Sequence, residues 1–226
     1  MLIVIRQVLA REDALALGRS IAAAQWVDGN VTSGDGAALA KRNRQLPEDS
    51  DVARDARRAV QRALAASGQF LSAALPRAIY PPLFNRYGIG EGFGAHVDNA
   101  IRVDPASGGQ MRTDLSATLF LSEDYDGGEL LIEGGFGTSV WKCPAGDMIL
   151  YPSSSLHSVS DVTRGERIAS FFWLQSLVRD HGNRESLFDL DQSVQALAAE
   201  RGGDDPQVLR LTKVYHNLVR GWAEAG

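Results

Sequence analysis

The stretch PAGDMILYPSSSLHSVSDVTRGERIASFFWLQ, residues 144–175, decides the fold. Residues 146–147 predict a turn, and residues 148–151 predict a buried strand that ends at Pro152. Short alternating or apolar runs of this kind, separated by Gly, Pro and Asp, extend over residues 79–177. That pattern is typical of an antiparallel barrel or jelly roll.

The last nine residues of the stretch, RIASFFWLQ, predict a strand with one unusual face. Alternate residues of a strand point to the same side, so Arg167, Ala169, Phe171 and Trp173 share a face. The guanidinium of Arg167 is therefore expected to point into a barrel lined by aromatic side chains. A buried arginine needs an anionic partner.

Two imidazoles and one carboxylate form the candidate metal site. His96 and Asp98 lie two residues apart in GEGFGAHVDNA, residues 90–100, so in an extended chain both side chains point to one face. His157 lies near the start of a later strand. Two neutral imidazoles and one carboxylate can occupy one face of an octahedral Fe(II), which leaves three positions for a chelating co-substrate and dioxygen. These residues predict a non-haem iron oxygenase.

Arg167, ten residues beyond His157, suggests the identity of the co-substrate. A cation there can hold the remote carboxylate of 2-oxoglutarate while the keto acid chelates the metal at its other end. Arg164 is the alternative anion partner, but it lies in the polar turn DVTRGER, where a solvated arginine is expected. His181, assigned to a loop, and His216, off the apolar face of a helix, are interpreted as residues without a catalytic role.

Asn85 and Tyr87 are further candidates for binding the co-substrate. They share parity on a predicted strand, so both side chains are expected to face the cavity. Tyr87 would then donate its hydroxyl to the keto acid, and a tyrosine of the core is the alternative.

Two Gly-rich loops follow. Residues 99–112 come directly after the HVD triplet, and they are interpreted either as a lid that excludes water or as a disordered connection. Residues 124–130, DYDGGEL, predict a hairpin turn in which Gly127 and Gly128 take positive φ angles.

Helical patterns flank the strand-rich region. Ala-rich patterns over residues 12–26 and 50–67 predict two helices that buttress a sheet, and Ser50 or Asp51 is the expected cap of the second. After the strands, SLFDLDQSVQALAAE predicts a helix over residues 186–200. Following the GGDDP break, a last helix is expected with Asp205 as its N-cap and Pro206 in its first turn.

Composition narrows the class of protein. A chain of 226 residues with 44% hydrophobic residues accommodates one oxygenase core and a small appendage. The first apolar run is too short for a signal sequence or a membrane span, and Cys143 is the single cysteine, so a cytoplasmic location without a membrane partner is expected. The net charge of -5 argues against a nucleic-acid partner. KRNRQL, residues 41–46, is interpreted as a solvated helix end or turn.

Several motifs together resemble the bacterial PKHD-type hydroxylases, which are Fe(II)- and 2-oxoglutarate-dependent dioxygenases of the prolyl-hydroxylase-like group. The motifs are KRNRQL, FNRYGIGEGFGAHVDNA, RTDLSATLFLS, DYDGGELLI, the stretch from residue 144 to residue 180, and LFDLD. The resemblance implies an α+β fold with a double-stranded β-helix (jelly-roll) core, N-terminal buttressing helices and a small C-terminal helical subdomain. The expected divisions are residues 1–78, 79–177 and 178–226.

The same resemblance implies the activity, which is oxidative decarboxylation of 2-oxoglutarate coupled to hydroxylation of a substrate. His96, Asp98 and His157 would hold Fe(II), Arg167 would bind 2-oxoglutarate, and L-ascorbate would restore oxidised iron. The substrate is expected to be a small molecule or a peptide. A role in ferric-siderophore uptake is implied by the resemblance alone.

Three alternatives stay open. A non-catalytic sensor that binds iron or 2-oxoglutarate would keep the same ligands. An enzyme that dealkylates nucleic acid would use a related site, but that family has a second Arg six residues after the first, where this chain has Trp173. The apolar face of the last helix leaves a homo-oligomer open, because it would pack equally well on the barrel or on a second subunit.

Overall fold

In the computed structural model, the described residues are 1–32, 41–105 and 108–224. This part of the chain contains five helices and two main sheets. The helices are α1 (Arg11–Ala22), α2 (Asp51–Ala66), α3 (Gly68–Ala74), α4 (His181–Arg201) and α5 (Pro206–Trp222). A short 3-10 helix spans Gly29–Thr32.

The larger sheet has eight strands, and each pair in it is antiparallel. Its strands are β1 (Ile3–Ile5), β2 (Val27–Asp28), β4 (Arg44–Gln45), β5 (Pro76–Ile79), β6 (Leu83–Tyr87), β10 (Leu115–Phe120), β14 (Met148–Pro152) and β17 (Arg167–Ser176). Their order is β1-β14-β10-β17-β6-β4-β2, and β5 also pairs with β17.

The smaller main sheet has five strands in the order β13-β12-β15-β7-β3. Its strands are β3 (Lys41–Arg42), β7 (Gly92–His96), β12 (Leu130–Gly134), β13 (Gly137–Trp141) and β15 (His157–Val159). Two further sheets have two strands each. One pairs β8 (Ile101–Val103) with β9 (Gln110–Arg112), and the other pairs β11 (Tyr125–Gly127) with β16 (Val162–Gly165). Two facing antiparallel sheets with flanking helices confirm the predicted jelly roll.

Alternation along β10 explains how the core divides. Leu115, Ala117 and Leu119 belong to the cluster that packs the large sheet against α1, α2 and α3. Phe120 belongs to a second cluster between the two sheets, and Ser116 faces the cavity described below. The first cluster confirms the buttressing role of the N-terminal helices, while the second surrounds the site.

Residues before position 79 contribute strands to both main sheets. β1 pairs with β14, β3 with β7, and β4 with β6. The N-terminal segment therefore contributes strands to the barrel itself. The division at residues 78 and 177 stays a prediction.

Capping residues in the sequence correctly predicted the starts of two helices. Ser50 caps α2 by accepting a hydrogen bond from the Ala53 backbone N–H, and Asp205 caps α5 with Pro206 at its start, as predicted. α1 ends at Ala22 rather than near residue 26. The chain turns there, and the Trp26 indole N–H donates to the Ala22 carbonyl.

Three further expectations were wrong, concerning His181, residues 124–130 and KRNRQL. His181 begins α4 instead of lying in a loop, because Asp180 caps that helix through the Asn183 N–H. Residues 124–130 do not form a hairpin, because β11 pairs with β16 while β12 pairs with β13 and β15, although Gly127 and Gly128 have the predicted positive φ angles of 71° and 64°.

KRNRQL is not a solvated helix end or turn either. Its residues form β3 and β4 on either side of Asn43, with Lys41, Asn43 and Gln45 buried and Arg42 and Arg44 exposed. In the described part of the chain, no helix is long and apolar enough to cross a membrane.

Candidate active site

The register of β7 against β15 brings the two candidate imidazoles together. His96 and His157 are paired Cα partners on neighbouring strands, and their ring centroids lie 4.2 Å apart. Asp98 follows β7 by two residues and turns back to the same place, with its Oδ2 atom 3.7 Å from the His157 Nε2 atom. One donor atom from each of the three residues lies within 4.8 Å of the others, so all three can reach one ion.

Backbone carbonyls orient both imidazoles. The His96 Nδ1 atom lies 2.9 Å from the Gly94 carbonyl oxygen, and the His157 Nδ1 atom lies 3.0 Å from that of Ser155. A carbonyl only accepts, so each Nδ1 carries the hydrogen when these bonds form. The Nε2 lone pair of each ring is then available to a metal, as in most histidine-ligated sites.

Two serines support Asp98 from the large sheet. The Ser116 hydroxyl on β10 donates to the Asp98 Oδ2 atom across 2.6 Å, and it lies 2.7 Å from the Ser153 hydroxyl. Both serines are buried. This chain of hydrogen bonds fixes the carboxylate in place before a metal binds.

Burial keeps the site in a form suited to metal binding. Desolvation and the neighbouring His157 together hold the pKa of His96 well below its ordinary value of 6.5. The ring is therefore neutral at pH 7 and can offer a lone pair. Phe93 stacks on His96 with 3.6 Å between ring centroids, so one side of that imidazole is shielded from water.

Arg167 is fully buried at the start of β17, as its position in the sequence predicts. Its guanidinium carbon lies 5.2 Å from the ring centroid of Tyr87 and 5.5 Å from that of Phe120. Its Nε and Nη1 atoms have no hydrogen-bond partner among the described residues. Two buried donors without acceptors cost free energy, and an anion in the cavity could accept from both of them.

Arg164 is excluded from that role by its contacts. It is exposed on β16, where its guanidinium binds Asp124 and Asp126 with N···O distances of 2.6 Å. His216 is also exposed, as predicted. His181 is half exposed and contacts the N-terminal amine of Met1.

Asn85 and Tyr87 are both buried on β6, and both line the cavity. The Asn85 side-chain amide donates to the Tyr87 hydroxyl oxygen across 3.4 Å. Burial raises the pKa of Tyr87, so its hydroxyl keeps its proton and can act as a donor. The Asn85 Oδ1 atom is another buried polar atom without a partner among the described residues.

Lys41, Arg102 and Ser116 are among the cavity residues that the sequence did not predict. Lys41 on β3 donates to the Gly29 carbonyl across 2.6 Å, and burial and the charge of Arg102 lower its pKa to about 8. Arg102 on β8 also lines the cavity, as does Ser116. Alternating burial along the strands could have identified the two cations. Lys41 lies two residues before the buried Asn43 and shares its face, and Arg102 lies between the exposed apolar residues Ile101 and Val103.

The cavity is open at its mouth and, together with that opening, contains about 750 Å³ of space not filled by protein atoms. The metal triad, Arg167 and Arg102 all line it. The segment 99–112, interpreted as a lid or a disordered connection, contributes the β8–β9 hairpin beside this mouth. Ala106 and Ser107 lie outside the described residues.

Comparisons with known proteins agree with this geometry. The model of the 2OG-Fe(II) oxygenase superfamily matches residues 82–175, and that of the PKHD-type hydroxylase C-terminal domain matches residues 181–224. A PKHD-type hydroxylase of Methylobacillus flagellatus is 58% identical over 227 residues, and the match covers 100% of both chains. This chain belongs to the PKHD-type hydroxylases.

Two solved structures with low sequence identity share the fold of this PKHD-type hydroxylase. A Pseudomonas putida prolyl-4-hydroxylase has a TM-score of 0.54 at 20% identity, covering 77% of this chain and 92% of that one. HygX from Streptomyces hygroscopicus, solved with nickel, 2-oxoglutarate and hygromycin B bound, has a TM-score of 0.54 at 15% identity, covering 77% and 82%.

The PKHD-type hydroxylase is thus a dioxygenase whose family implies Fe(II) and 2-oxoglutarate. The residues present fit both groups. Two neutral imidazoles and a carboxylate are the donor set of a facial triad, and the unpartnered donors of Arg167 suit a carboxylate.

Proposed function

We propose that His96, Asp98 and His157 hold Fe(II), and that Arg167 binds the remote carboxylate of 2-oxoglutarate, in an enzyme that hydroxylates a small molecule or a peptide. The observation that carries this proposal is a buried arginine with unpartnered donors in the same cavity as a His-Asp-His cluster. A site for metal alone would not need that arginine. A site for an anion alone would not need the cluster.

When bound, iron and 2-oxoglutarate supply the oxidation, in which dioxygen converts 2-oxoglutarate to succinate and carbon dioxide and oxidises a C–H bond of the substrate. The chain's own residues prepare the site for this reaction. Asp98 contributes a single negative charge, which leaves the metal attractive to an anionic chelate. Gly94 and Ser155 hold the imidazoles with their Nε2 atoms free, and Ser116 holds the carboxylate.

Arg167, Tyr87 and Asn85 would position the co-substrate. The planar guanidinium can bind a carboxylate through two parallel hydrogen bonds. The protonated Tyr87 hydroxyl, beside Asn85, offers a further donor to the keto acid. The aromatic rings of Tyr87 and Phe120 exclude water around Arg167, which strengthens its attraction for an anion.

Several finer points rest on the family resemblance. L-ascorbate is the proposed accessory reductant, and a cytoplasmic location suits the single Cys143. One relative in structure is a prolyl-4-hydroxylase, and HygX was solved with hygromycin B bound.

The activity is tested by reconstituting the protein with Fe(II) and 2-oxoglutarate without oxygen and then admitting oxygen. We expect oxygen-dependent formation of succinate, slow without a prime substrate and faster when a screened metabolite or peptide gains the mass of one oxygen atom. His157→Ala is the matched control. A protein that binds iron and 2-oxoglutarate yet forms no more succinate than this variant would be a binding module.

A place in ferric-siderophore uptake is proposed as well, supported by the resemblance alone. It predicts that transcripts of the gene rise under iron limitation, despite the enzyme's own need for iron. Transcript levels at several iron concentrations measure this. Constant levels would remove the biological role and leave the chemistry in place.

A further inference from the structure

Arg102 is one of three cationic residues that line the cavity, with Lys41 and Arg167, and the proposed reaction gives it no role. Its guanidinium carbon lies 3.3 Å from the ring centroid of Trp173 and 5.4 Å from that of Tyr80. Its Nε atom is buried and has no hydrogen-bond partner among the described residues. Contact with the face of the Trp173 ring, next to a Tyr80 ring that lies at 79° to it, restricts the guanidinium, so little freedom is lost when a ligand binds.

The charge of Arg102 is not neutralised by an ion pair within 4.0 Å in the described part of the chain. Asp98 and Glu48 are the carboxylates near enough to influence it, and Asp98 belongs to the proposed metal site. Lys41 adds positive charge to the same cavity, and the charge of Arg102 helps to lower the pKa of Lys41. This region therefore has an excess of positive charge that an anion would relieve.

Arg102 and Arg167 lie at different ends of the cavity. Trp173, on which Arg102 stacks, is six residues beyond Arg167 on β17, which corresponds to about 20 Å along an extended strand. Trp173 pairs in register with Ser116, whose hydroxyl binds Asp98. A group held by Arg102 would thus lie on the Asp98 side of the metal site, away from the anion that Arg167 would hold.

We propose that Arg102 binds a carboxylate of the prime substrate, so that the enzyme acts on carboxylic acids or on peptides that present a carboxylate. This inference rests on the proposed function of the same cavity. A planar guanidinium matches a planar carboxylate in a bidentate pair. Val97, Phe171 and Trp173 line the same cavity as Arg102, and these apolar neighbours suit an acid with an apolar body better than a strongly hydrated phosphate.

The test uses the protein loaded with Mn(II) and 2-oxoglutarate without oxygen, so that no turnover occurs. The probes are N-acetylalanine, N-acetylleucine and N-acetylphenylalanine, each beside its primary amide. N-acetylglutamate α-amide presents a side-chain carboxylate instead of a terminal one, and phenyl phosphate presents a phosphate. Affinities follow from the paramagnetic broadening of the probes' proton signals by Mn(II), which reports only on molecules near the metal.

Arg102→Gln and Arg102→Lys are the test variants, and Arg42→Gln is the control. Arg42 is an exposed neighbour of Lys41 that pairs with Asp161 at 2.7 Å, so its loss should leave the cavity unchanged. We expect carboxylates to bind about tenfold more tightly than amides in the parent protein and in Arg42→Gln. In Arg102→Gln the two should bind alike, and Arg102→Lys should keep part of the preference.

The outcomes separate the two proposals. Failure of the parent protein to bind 2-oxoglutarate in calorimetry would contradict the proposed function. If 2-oxoglutarate binds, three outcomes would overturn the Arg102 proposal. The parent protein could bind acids and amides equally or not at all, the preference for acids could survive in Arg102→Gln, or phenyl phosphate could bind more tightly than the carboxylates. A merely structural role of the Arg102–Trp173 stack would weaken acids and amides equally, which also overturns the proposal. Preference for the N-acetylamino acids indicates a terminal carboxylate, and preference for the glutamate probe indicates an acidic side chain.

Discussion

Ser116 and Asp98 form a 2.6 Å hydrogen bond between a strand of the large sheet and the end of a strand of the small one. The bond joins the two walls of the cavity at the carboxylate proposed to bind iron. Ser153 extends it, so the orientation of Asp98 depends on residues that do not themselves touch the metal.

Ser116→Ala should weaken Fe(II) binding by roughly 10- to 100-fold, because groups that orient a metal ligand typically contribute that much. The protein should stay folded, since the change removes one hydroxyl. Metal affinity is measured by competition with a chelator in the absence of oxygen. Ser139→Ala, which removes a hydroxyl bonded to the Ile132 carbonyl on the β12–β13 hairpin, is the control. Equal affinities in both variants would show that Asp98 does not need Ser116.

His157→Ala should purify folded and poor in iron, because one of three protein ligands and the facial geometry are lost. Iron content after anaerobic reconstitution and the circular dichroism spectrum check both parts. His216→Ala is the control, as that side chain is exposed on the C-terminal helix. Full iron content with full activity in His157→Ala would refute the assignment of the ligands.

Arg167→Ala should weaken 2-oxoglutarate binding by about 30-fold to several thousand-fold, which corresponds to the roughly 2 to 5 kcal/mol lost with one partner of a buried charged pair. Iron affinity should change little. Arg167→Lys should recover only part of the affinity, because an ammonium lacks the bidentate fork.

Arg164→Ala is the matched control for Arg167, as Arg164 is already bound to Asp124 and Asp126 at the surface. Isothermal titration of the anaerobic Fe(II) protein with 2-oxoglutarate measures all variants. A larger effect at Arg164 than at Arg167 would reverse the assignment.

Lys41 predicts a pH dependence of the stability of the metal-free protein. Its pKa is lowered from 10.5 to about 8 by burial first and by Arg102 second, so its charge destabilises the fold. That cost is complete below pH 8 and disappears as the pH rises through 10.5, because the unfolded chain then also loses the proton. The free energy of unfolding should therefore increase with pH, relative to Lys41→Met, by up to about 3 kcal/mol.

Urea unfolding at pH 7 and pH 10 measures that difference. Lys213→Met removes an exposed lysine from α5, and the same comparison should show no such change. A Lys41 difference of the opposite sign would mean that the buried ammonium is stabilised by its surroundings.

Local sequence signals predicted the parts of this fold that depend on neighbouring residues. Ser50 and Asp205 cap their helices, and Arg167 begins a strand, since capping and alternation act within a few residues. Local signals did not predict pairings between strands that are distant in the sequence. DYDGGEL has the composition of a hairpin turn, yet its first strand pairs with β16, about forty residues later, which no local pattern reveals.

The difference between local and long-range signals also applies to the residues of the cavity. His96, Asp98 and His157 were recognisable because histidine is rare in this chain and the H-x-D spacing is known, and the structure brings them together. Ser116 lies inside the buried run LSATLF, where a serine carries no motif of its own. Its importance comes from its hydrogen bond to the Asp98 carboxylate, which follows strand β7 of the smaller sheet. Contacts between sheets depend on pairing over long distances, so a single sequence does not disclose them.

Because His96 and His157 are paired across β7 and β15, the proposed iron site forms only when these two strands are in the correct register. A slip of one residue turns every side chain of a strand to the other face, so a misaligned chain would direct one imidazole out of the cavity. The metal would then bind the correctly aligned chain more tightly and stabilise it by mass action. A cell short of iron would accordingly hold a less stable population of this enzyme, and its amount would fall through proteolysis even at constant synthesis.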